Sequence, residues 1–480
     1  MRGEKMKKIC ISLCFMLLLL VATCAVNPVT GKRELSLISE QQEIALGKET
    51  DVEIRNQYGV YDESALNKYI NAVAITLTPH THRPHLEYHF AVLDTPVVNA
   101  FAVPGGYIYV TRGILVLMNS EAELAVILGH ELGHVNARHS VRRLSKLLLV
   151  QLGFSVGSAL SETIAKISGL ASVGVQLLFL KYSRDDERQA DALGVEYSRK
   201  GGYNPSDMVN FFSSLQKLGD LSGGQSLPGF LSTHPLTKER IQDVKAMLTD
   251  DDRSFLVKRN SYLYQIANII YGEDPQQGYV EGNTFYHPQM RFYFSFPKDW
   301  KLQNTPSQVI MTSKDGNAAL ILGAEESAEN LQNYAQKKVS TLEERQFISD
   351  RTLTINGLSS YQQIYDVFPQ EKETLRVRLT YIKKKPYIFS FSTLSTIYDF
   401  RKYDHQFSII VDSFNELRDR SHINRQPKRL KLVKANGRQI LKEIFQNSGM
   451  KKDLWQKFAI LNGMELSQIP KRDQLVKIIK

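Results

Sequence analysis

Residues 127–134 read Ile-Leu-Gly-His-Glu-Leu-Gly-His, and this run restricts the fold more than any other stretch. On a helix His130 and His134 lie one turn apart on one face, so both imidazoles can reach a single metal ion. Glu131 sits beside them, placed to take a proton from a metal-activated water as general base. Apolar Ile127, Leu128, Leu132 and Val135 fill the positions between. Ser120 with Glu123 matches the capping-box pattern that would start this helix.

Cysteine content decides which further ligands remain. The three thiols are Cys10, Cys14 and Cys24, so the chain past Cys24 has no disulfide, no thiolate ligand and no cysteine nucleophile. Imidazole and carboxylate are left, a set that suits one Zn²⁺ per chain. Zinc takes nitrogen and oxygen donors, keeps a position open for water and lowers that water's pKa to about 7. The metzincin pattern would place a glycine at position 137 and a histidine at 140, but Ala137 and Ser140 stand there. His139 is one position off and reads as a helix-surface residue or a hydrogen-bond support for a ligand. The run Tyr182-Ser-Arg-Asp-Asp-Glu-Arg-Gln-Ala-Asp191 spaces Glu187 and Asp191 four apart on a second expected helix. One carboxylate could bind metal while the other fixes the tautomer of a ligand histidine. Taken alone, the run reads equally well as a solvated charged face.

At 480 residues the chain is too long for one core, and about 100–200 residues per domain suggests two to four. Arg2, Lys5, Lys7 and Lys8 precede an apolar run from Ile9 to Val21, the form of an export signal rather than a membrane span, which needs about 20 residues. Leu20-Val21-Ala22-Thr23-Cys24 resembles a bacterial lipobox with Cys24 as the lipidated residue, and cleavage after Ala25 is the alternative. An exported, periplasmic protein is expected, anchored as a lipoprotein, in the outer membrane if the host is Gram-negative. The net charge of +10 resides in residues 421–480, where 14 Lys and Arg face 4 Asp and Glu. Only this tail calls for an anionic partner; no nucleic-acid partner is expected.

Asn27 to Ser39 reads as an extended connector, and Ser39 with Gln42 starts a helix. Glu63–Leu77 follows as a second helix. Strands are expected at Phe90–Val92 and Tyr107–Val110, with Gly105-Gly106 as a turn. Leu144–Leu180 reads as packed helices. Further strands are expected at Arg291–Phe296, Ala319–Leu322, Leu375–Tyr381 and Tyr387–Phe391, the last two joined as a hairpin. Helices at about 328–344 and 396–416 flank them. The expected domains are a signal with lipobox at 1–24, a metal-bearing domain at 25–252, a helical linker at 253–280, an α+β accessory domain at 281–420 and a basic module at 421–480.

Three segments in order resemble the CAAX-prenyl-protease-type gluzincins, including their soluble periplasmic branch. They are Val98-Asn-Ala-Phe-Ala-Val-Pro-Gly-Gly106, His130-Glu-Leu-Gly-His134 and Ser183-Arg-Asp-Asp-Glu-Arg-Gln-Ala-Asp191. Asn27-Pro-Val-Thr-Gly-Lys-Arg33 resembles the mature start of envelope-located members. The resemblance covers roughly residues 25–250. It implies a mainly α zincin-type fold with a small β-sheet, Glu187 as third zinc ligand and Asp191 as its support. It also implies that the strand at Asn99, Ala100 and Phe101 borders the substrate cleft, where an extended peptide adds through main-chain hydrogen bonds. The integral-membrane relatives have several apolar spans that this chain lacks, so prenyl-peptide processing is not expected. The implied function is a zinc endopeptidase that degrades unfolded or misassembled envelope proteins. The alternative is a gated, weakly active protease acting as a periplasmic chaperone or cell-wall adaptor.

The tail resembles a diverged LysM module through Val433-Lys-Ala-Asn-Gly437, Leu461-Asn-Gly463 and Gln474-Leu-Val-Lys-Ile478. Peptidoglycan, anionic lipid and lipopolysaccharide are its candidate ligands, and a solvated basic surface is the alternative. Finally, family resemblance places Leu231-Ser-Thr-His-Pro-Leu-Thr-Lys-Glu-Arg-Ile241 beside the active site. There His234 would occupy zinc's open position as a gate and Arg240 would stabilise the oxyanion. Otherwise His234 caps a helix and Arg240 pairs with a carboxylate.

Overall fold

The computed structural model describes residues 24–153, 181–221, 229–340, 344–368 and 373–480. The expected export signal before Cys24, the apolar stretch from 154 to 180 and most of the glycine-rich run before Gly229 lie outside them. The chain forms two compact units, one of residues 1–55, 59–272 and 428–480, the other of residues 56–58 and 273–427.

In the first unit, strands β1 (Cys24–Val26) and β2 (Arg33–Leu35) pair antiparallel where an extended connector was expected. The reason is Asn27, whose side-chain oxygen accepts the N–H groups of Val29 and Thr30 at 2.9 and 3.1 Å and turns the chain. Ser39 and Gln42 exchange both hydrogen bonds of a capping box and start α1 (Glu40–Tyr58). Helix α2 (Ser64–Leu77) precedes β3 (His89–Leu93), β4 (Ala100–Val103) and β5 (Tyr107–Thr111). These strands form a sheet in the order β3-β5-β4, with β3 parallel and β4 antiparallel to β5. Gly106 turns the chain between β4 and β5 at φ +94°, and a Cβ there would lie 2.4 Å from the Glu87 carbonyl oxygen.

Short α3 (Arg112–Leu117) leads into α4 (Glu121–Asn136), every residue of which is buried. Ser120 caps α4 by accepting the Glu123 N–H at 3.0 Å. The expected box is only half formed, because the Glu123 carboxylate accepts the Asn119 N–H instead. Then follow α5 (His139–Gly153), α6 (Arg184–Lys200), α7 (Asp207–Leu221), α8 (Gly229–Thr233), α9 (Lys238–Met247) and α10 (Arg259–Gln265). Tyr262 and Leu263 of α10 are fully buried in the same core as α4, so residues 253–272 belong to this unit and are not a free linker.

The second unit is α+β with antiparallel sheets. Strands β6 (Tyr279–Glu281), β7 (Thr284–His287), β8 (Phe292–Ser295) and β16 (Asn415–Glu416) form a four-stranded sheet. A seven-stranded sheet holds β9 (Lys301–Asn304), β10 (Gln308–Thr312), β11 (Ala318–Glu326), β12 (Arg345–Ile355), β13 (Leu358–Val367), β14 (Leu375–Lys384) and β15 (Tyr387–Thr396). Its order is β12-β13-β14-β15-β11-β10-β9, and β14 and β15 make the expected hairpin. Helices α11 (Leu331–Val339), α12 (Phe400–Asp412) and α13 (Arg420–Ile423) complete it.

The basic tail returns to the first unit as β17 (Leu430–Lys434), α14 (Leu441–Asn447), α15 (Trp455–Leu461) and β18 (Leu475–Ile479), with β17 antiparallel to β18. Its Leu441, Phe445, Phe458 and Val476 join the core that surrounds α4. Lys477 is fully buried, and its ammonium donates to the carbonyls of Val116, Leu117 and Met118 at 2.8, 3.3 and 2.9 Å. Three acceptors match its three protons and close the end of α3. The unit boundaries therefore fall at 272 and 428 rather than at 252, 280 and 420. No helix among the described residues is long and apolar enough to cross a membrane.

Candidate metal centre

The site exists because two helices approach without side chains between them. Gly129 and Gly133 lie one turn apart on α4. A Cβ on Gly129 would sit 3.0 Å from the Gly194 carbonyl of α6, and one on Gly133 would sit 3.1 Å from the Ala190 Cα. A Cβ on Gly194 would meet the His130 nitrogen at 3.0 Å. These contacts carry Glu187 and Asp191 to the histidine face of α4.

His130, His134, Glu187 and His234 each turn one donor atom inward, all within 4.8 Å of one another. His130 Nε2 lies 3.1 Å from His134 Nε2 and 3.3 Å from His234 Nδ1. His234 Nδ1 is 2.9 Å from Glu187 Oε1, and His134 Nε2 is 3.5 Å from the same oxygen. All four are at most 1% exposed. Four buried donors of nitrogen and oxygen, with no thiol, are the set Zn²⁺ accepts, so the residues fit the metal.

Asp191 supports the cluster from behind. Its Oδ1 lies 3.0 Å from His130 Nδ1, which leaves His130 Nε2 facing the other donors. Arg240 grips Asp191 with two bonds of 2.7 Å and places Nη1 2.6 Å from Glu187 Oε2. The guanidinium is spent on these carboxylates, so of the two readings of Arg240 the geometry has carboxylate pairing. Burial alone would raise both acids. The positive partners outweigh it: His234 and Arg240 hold Glu187 below the usual carboxylate range, and Arg240 with His130 does the same for Asp191. Glu131 goes the other way, because burial raises it more than His234 and His130 lower it.

His234 follows α8 and caps nothing; Thr237 caps α9. Its ring stacks on Phe230 at 4.5 Å, and its Nε2 lies 3.8 Å from Glu131 Oε1. The Phe230 N–H donates to the Val98 carbonyl at 2.8 Å, which ties this segment beside Asn99, Ala100 and Phe101. Strand β4 is an edge of its sheet, with Ala100 and Phe101 buried.

Two parts of the site were given no role from the sequence, and a third was named without a settled one. Gly129 and Gly133 were visible inside the motif, and their spacing signals a close helix crossing. Tyr182 stacks on His134 at 3.9 Å. His139, buried against His134, was left between two roles.

Residues 64–248 match the family profile described as Peptidase family M48. The chain is 28% identical over 258 residues to the beta-barrel assembly-enhancing protease of Yersinia pestis, covering 52% of each chain. It is 29% identical over 204 residues to the mitochondrial metalloendopeptidase OMA1 of Arabidopsis thaliana, covering 42% of this chain and 40% of that one. It is 31% identical over 159 residues to metalloprotease YcaL of Escherichia coli, covering 33% of this chain and 61% of that one. The chain thus spans about half the length of the first relatives it matches.

Proposed function

Residues 64–248 are a peptidase family M48 domain, and from that premise we propose that the chain is a zinc metalloendopeptidase acting on unfolded or misassembled proteins of a bacterial envelope. The observation that carries the reading is the buried group His130, His134, Glu187 and His234 with Glu131 beside it on α4. The names of the relatives, a beta-barrel assembly-enhancing protease among them, support the substrate class. An exported location with Cys24 lipidated is part of the proposal, as is contact of the tail with peptidoglycan, anionic lipid or lipopolysaccharide.

Zn²⁺ held by His130, His134 and Glu187 would supply a Lewis acid and lower the pKa of a bound water. Glu131 takes the proton of the attacking water and returns it to the leaving amine. Asp191, clamped by Arg240, keeps His130 turned toward the site. The Asn99–Phe101 edge binds the peptide main chain, which permits cleavage without strict side-chain selection. His234 occupies the remaining donor position and keeps basal activity low. That contact also supports the second reading, a gated protease that acts mainly as a chaperone or adaptor.

Glu131→Gln should retain zinc and fold while casein cleavage falls about 100- to 10,000-fold; undiminished cleavage would reject the assignment. His234→Ala should raise basal cleavage and self-cleavage.

A further inference from the structure

The metal-binding group leaves one buried imidazole without a role. His139 opens α5, is 1% exposed, and places Nδ1 2.8 Å from His134 Nδ1. Its other nitrogen, Nε2, lies 2.9 Å from Gln189 Oε1 on α6. Resting on the zinc reading above, we propose that His139 is a positioning residue that sets the tautomer of His134, reading its own orientation from Gln189.

The positions of the hydrogens set the direction of the relay. An amide oxygen only accepts, so the hydrogen in the 2.9 Å contact sits on His139 Nε2. A neutral imidazole carries one N–H, so His139 Nδ1 is an acceptor. The hydrogen in the 2.8 Å contact then belongs to His134 Nδ1. That leaves the lone pair of His134 on Nε2, the atom turned toward His130 at 3.1 Å and Glu187 at 3.5 Å. Were the Gln189 amide nitrogen to face His139, the chain would run backward. His134 Nε2 would carry the hydrogen and be closed to a metal.

The ring is also fixed in place. Tyr182 stacks on His134, its hydroxyl 3.0 Å from the Ser140 hydroxyl, and the Arg143 guanidinium lies over the Tyr182 ring at 4.3 Å. Nearby Asp186 remains 3.7 Å from His139 Nε2 and is held by Arg142, so Gln189 is the closer partner. The two ligand histidines are thereby oriented by different devices. A carboxylate, Asp191, serves His130, while an imidazole–amide relay serves His134. The relay matters because Glu131, Glu187 and Asp191 already bury three carboxylates around one point. A fourth would add desolvation cost and repulsion, whereas a neutral relay orients without charge.

The test is zinc affinity of the purified full chain by competition with a chromophoric chelator, read beside thermal unfolding of the metal-free protein. His139→Phe fills the space without accepting a hydrogen bond and should weaken zinc about 10- to 100-fold. His139→Asn, whose side-chain oxygen accepts, should recover most of that loss. Gln189→Glu keeps the acceptor but adds a charge and should weaken zinc less than Gln189→Leu, which removes the acceptor. Wild-type affinity in a folded His139→Phe variant overturns the proposal, as does an Asn variant no better than Phe. If His139→Phe does not fold, the Gln189 pair decides: a larger loss in Leu than in Glu supports the relay, and equal affinity in the two overturns it. Failure of the zinc reading looks different, since wild type itself would then take up no stoichiometric zinc, and this inference falls with it.

Discussion

Both units bury an apolar core, and they differ in the charge buried beside it. The first encloses Glu43, Arg83, Arg112, Glu121, Glu123, Glu131, Glu187, Asp191, Arg240 and Lys477, each 4% exposed or less. The second encloses rings: Phe285, Phe292, Phe294, Phe389, Phe391, Phe407 and Phe414 share one core. Among its described residues Arg378 is the one buried charge. Apolar burial is favourable wherever shape allows, but a buried charge is retained only when paired and hydrogen-bonded. The first unit therefore depends on particular partners, and the second on volume.

The largest expected effect lies in the tail. Lys477→Ala leaves the carbonyls of Val116, Leu117 and Met118 without their donor, and should cost about 1–3 kcal/mol for each acceptor left buried without a partner. Scanning calorimetry should show the loss in the transition of the first unit. A change below about 1 kcal/mol would mean that a surface charge placed in the core needs no specific partner, against the comparison.

In the second unit the matching change is Phe389→Leu. Phe389 is fully buried and packs edge-on to Phe292 at 4.9 Å. Trading ring for branch leaves a small void, and the cost should be about 1–2 kcal/mol, between a volume-conserving swap and full truncation. A loss as large as that of Lys477→Ala would show that this core is as partner-specific as the other.

Acid should separate the units by window. Burial lowers His287 to about 4, so the folded form favours the neutral ring. The unfolded chain binds the proton first, near 6.5, and this contribution to stability is lost as pH falls from 6.5 toward 4. Glu121 is different. Burial would raise it, but Lys258, Tyr69 and Tyr203 bond its carboxylate and lower it overall. Its contribution is present above 4.5 and lost only as pH falls below that value. His287→Gln should flatten the slope of the second unit between pH 6.5 and 4, and Glu121→Gln the slope of the first below 4.5. Unaltered slopes in both variants would assign acid sensitivity elsewhere.

The site was more legible than the partition of the chain. His130, Glu131 and His134 are spaced by helix geometry, and Ser39 with Gln42 marked a helix start, because both signals are local. Glu187 and Asp191 became specific only through resemblance, since their meeting with α4 depends on Gly129 and Gly133, more than 50 residues away in sequence. The tail could not be read from composition at all. A count of charges does not say that Lys477 points inward, and β18 pairs with β17 across two helices. Asn27 turned an expected connector into a hairpin through two bonds to its side-chain oxygen.

The smallest expected effect tests the same tail at its surface. Lys217 of α7 and Glu465 form an ion pair of 2.8 Å, but their side chains are 52% and 62% exposed. At such a site the attraction is weakened by water and salt, and holding two long side chains in one geometry costs entropy. If burial rather than surface charge holds the tail on its unit, Lys217→Ala should change stability by no more than about 0.5 kcal/mol. The change should also shrink as salt rises, since added ions screen the attraction between exposed charges. Calorimetry of Lys217→Ala beside Lys477→Ala at low and high salt reads both. A Lys217 effect approaching that of Lys477 would place the tail's attachment in its surface charge and reverse the order argued from burial.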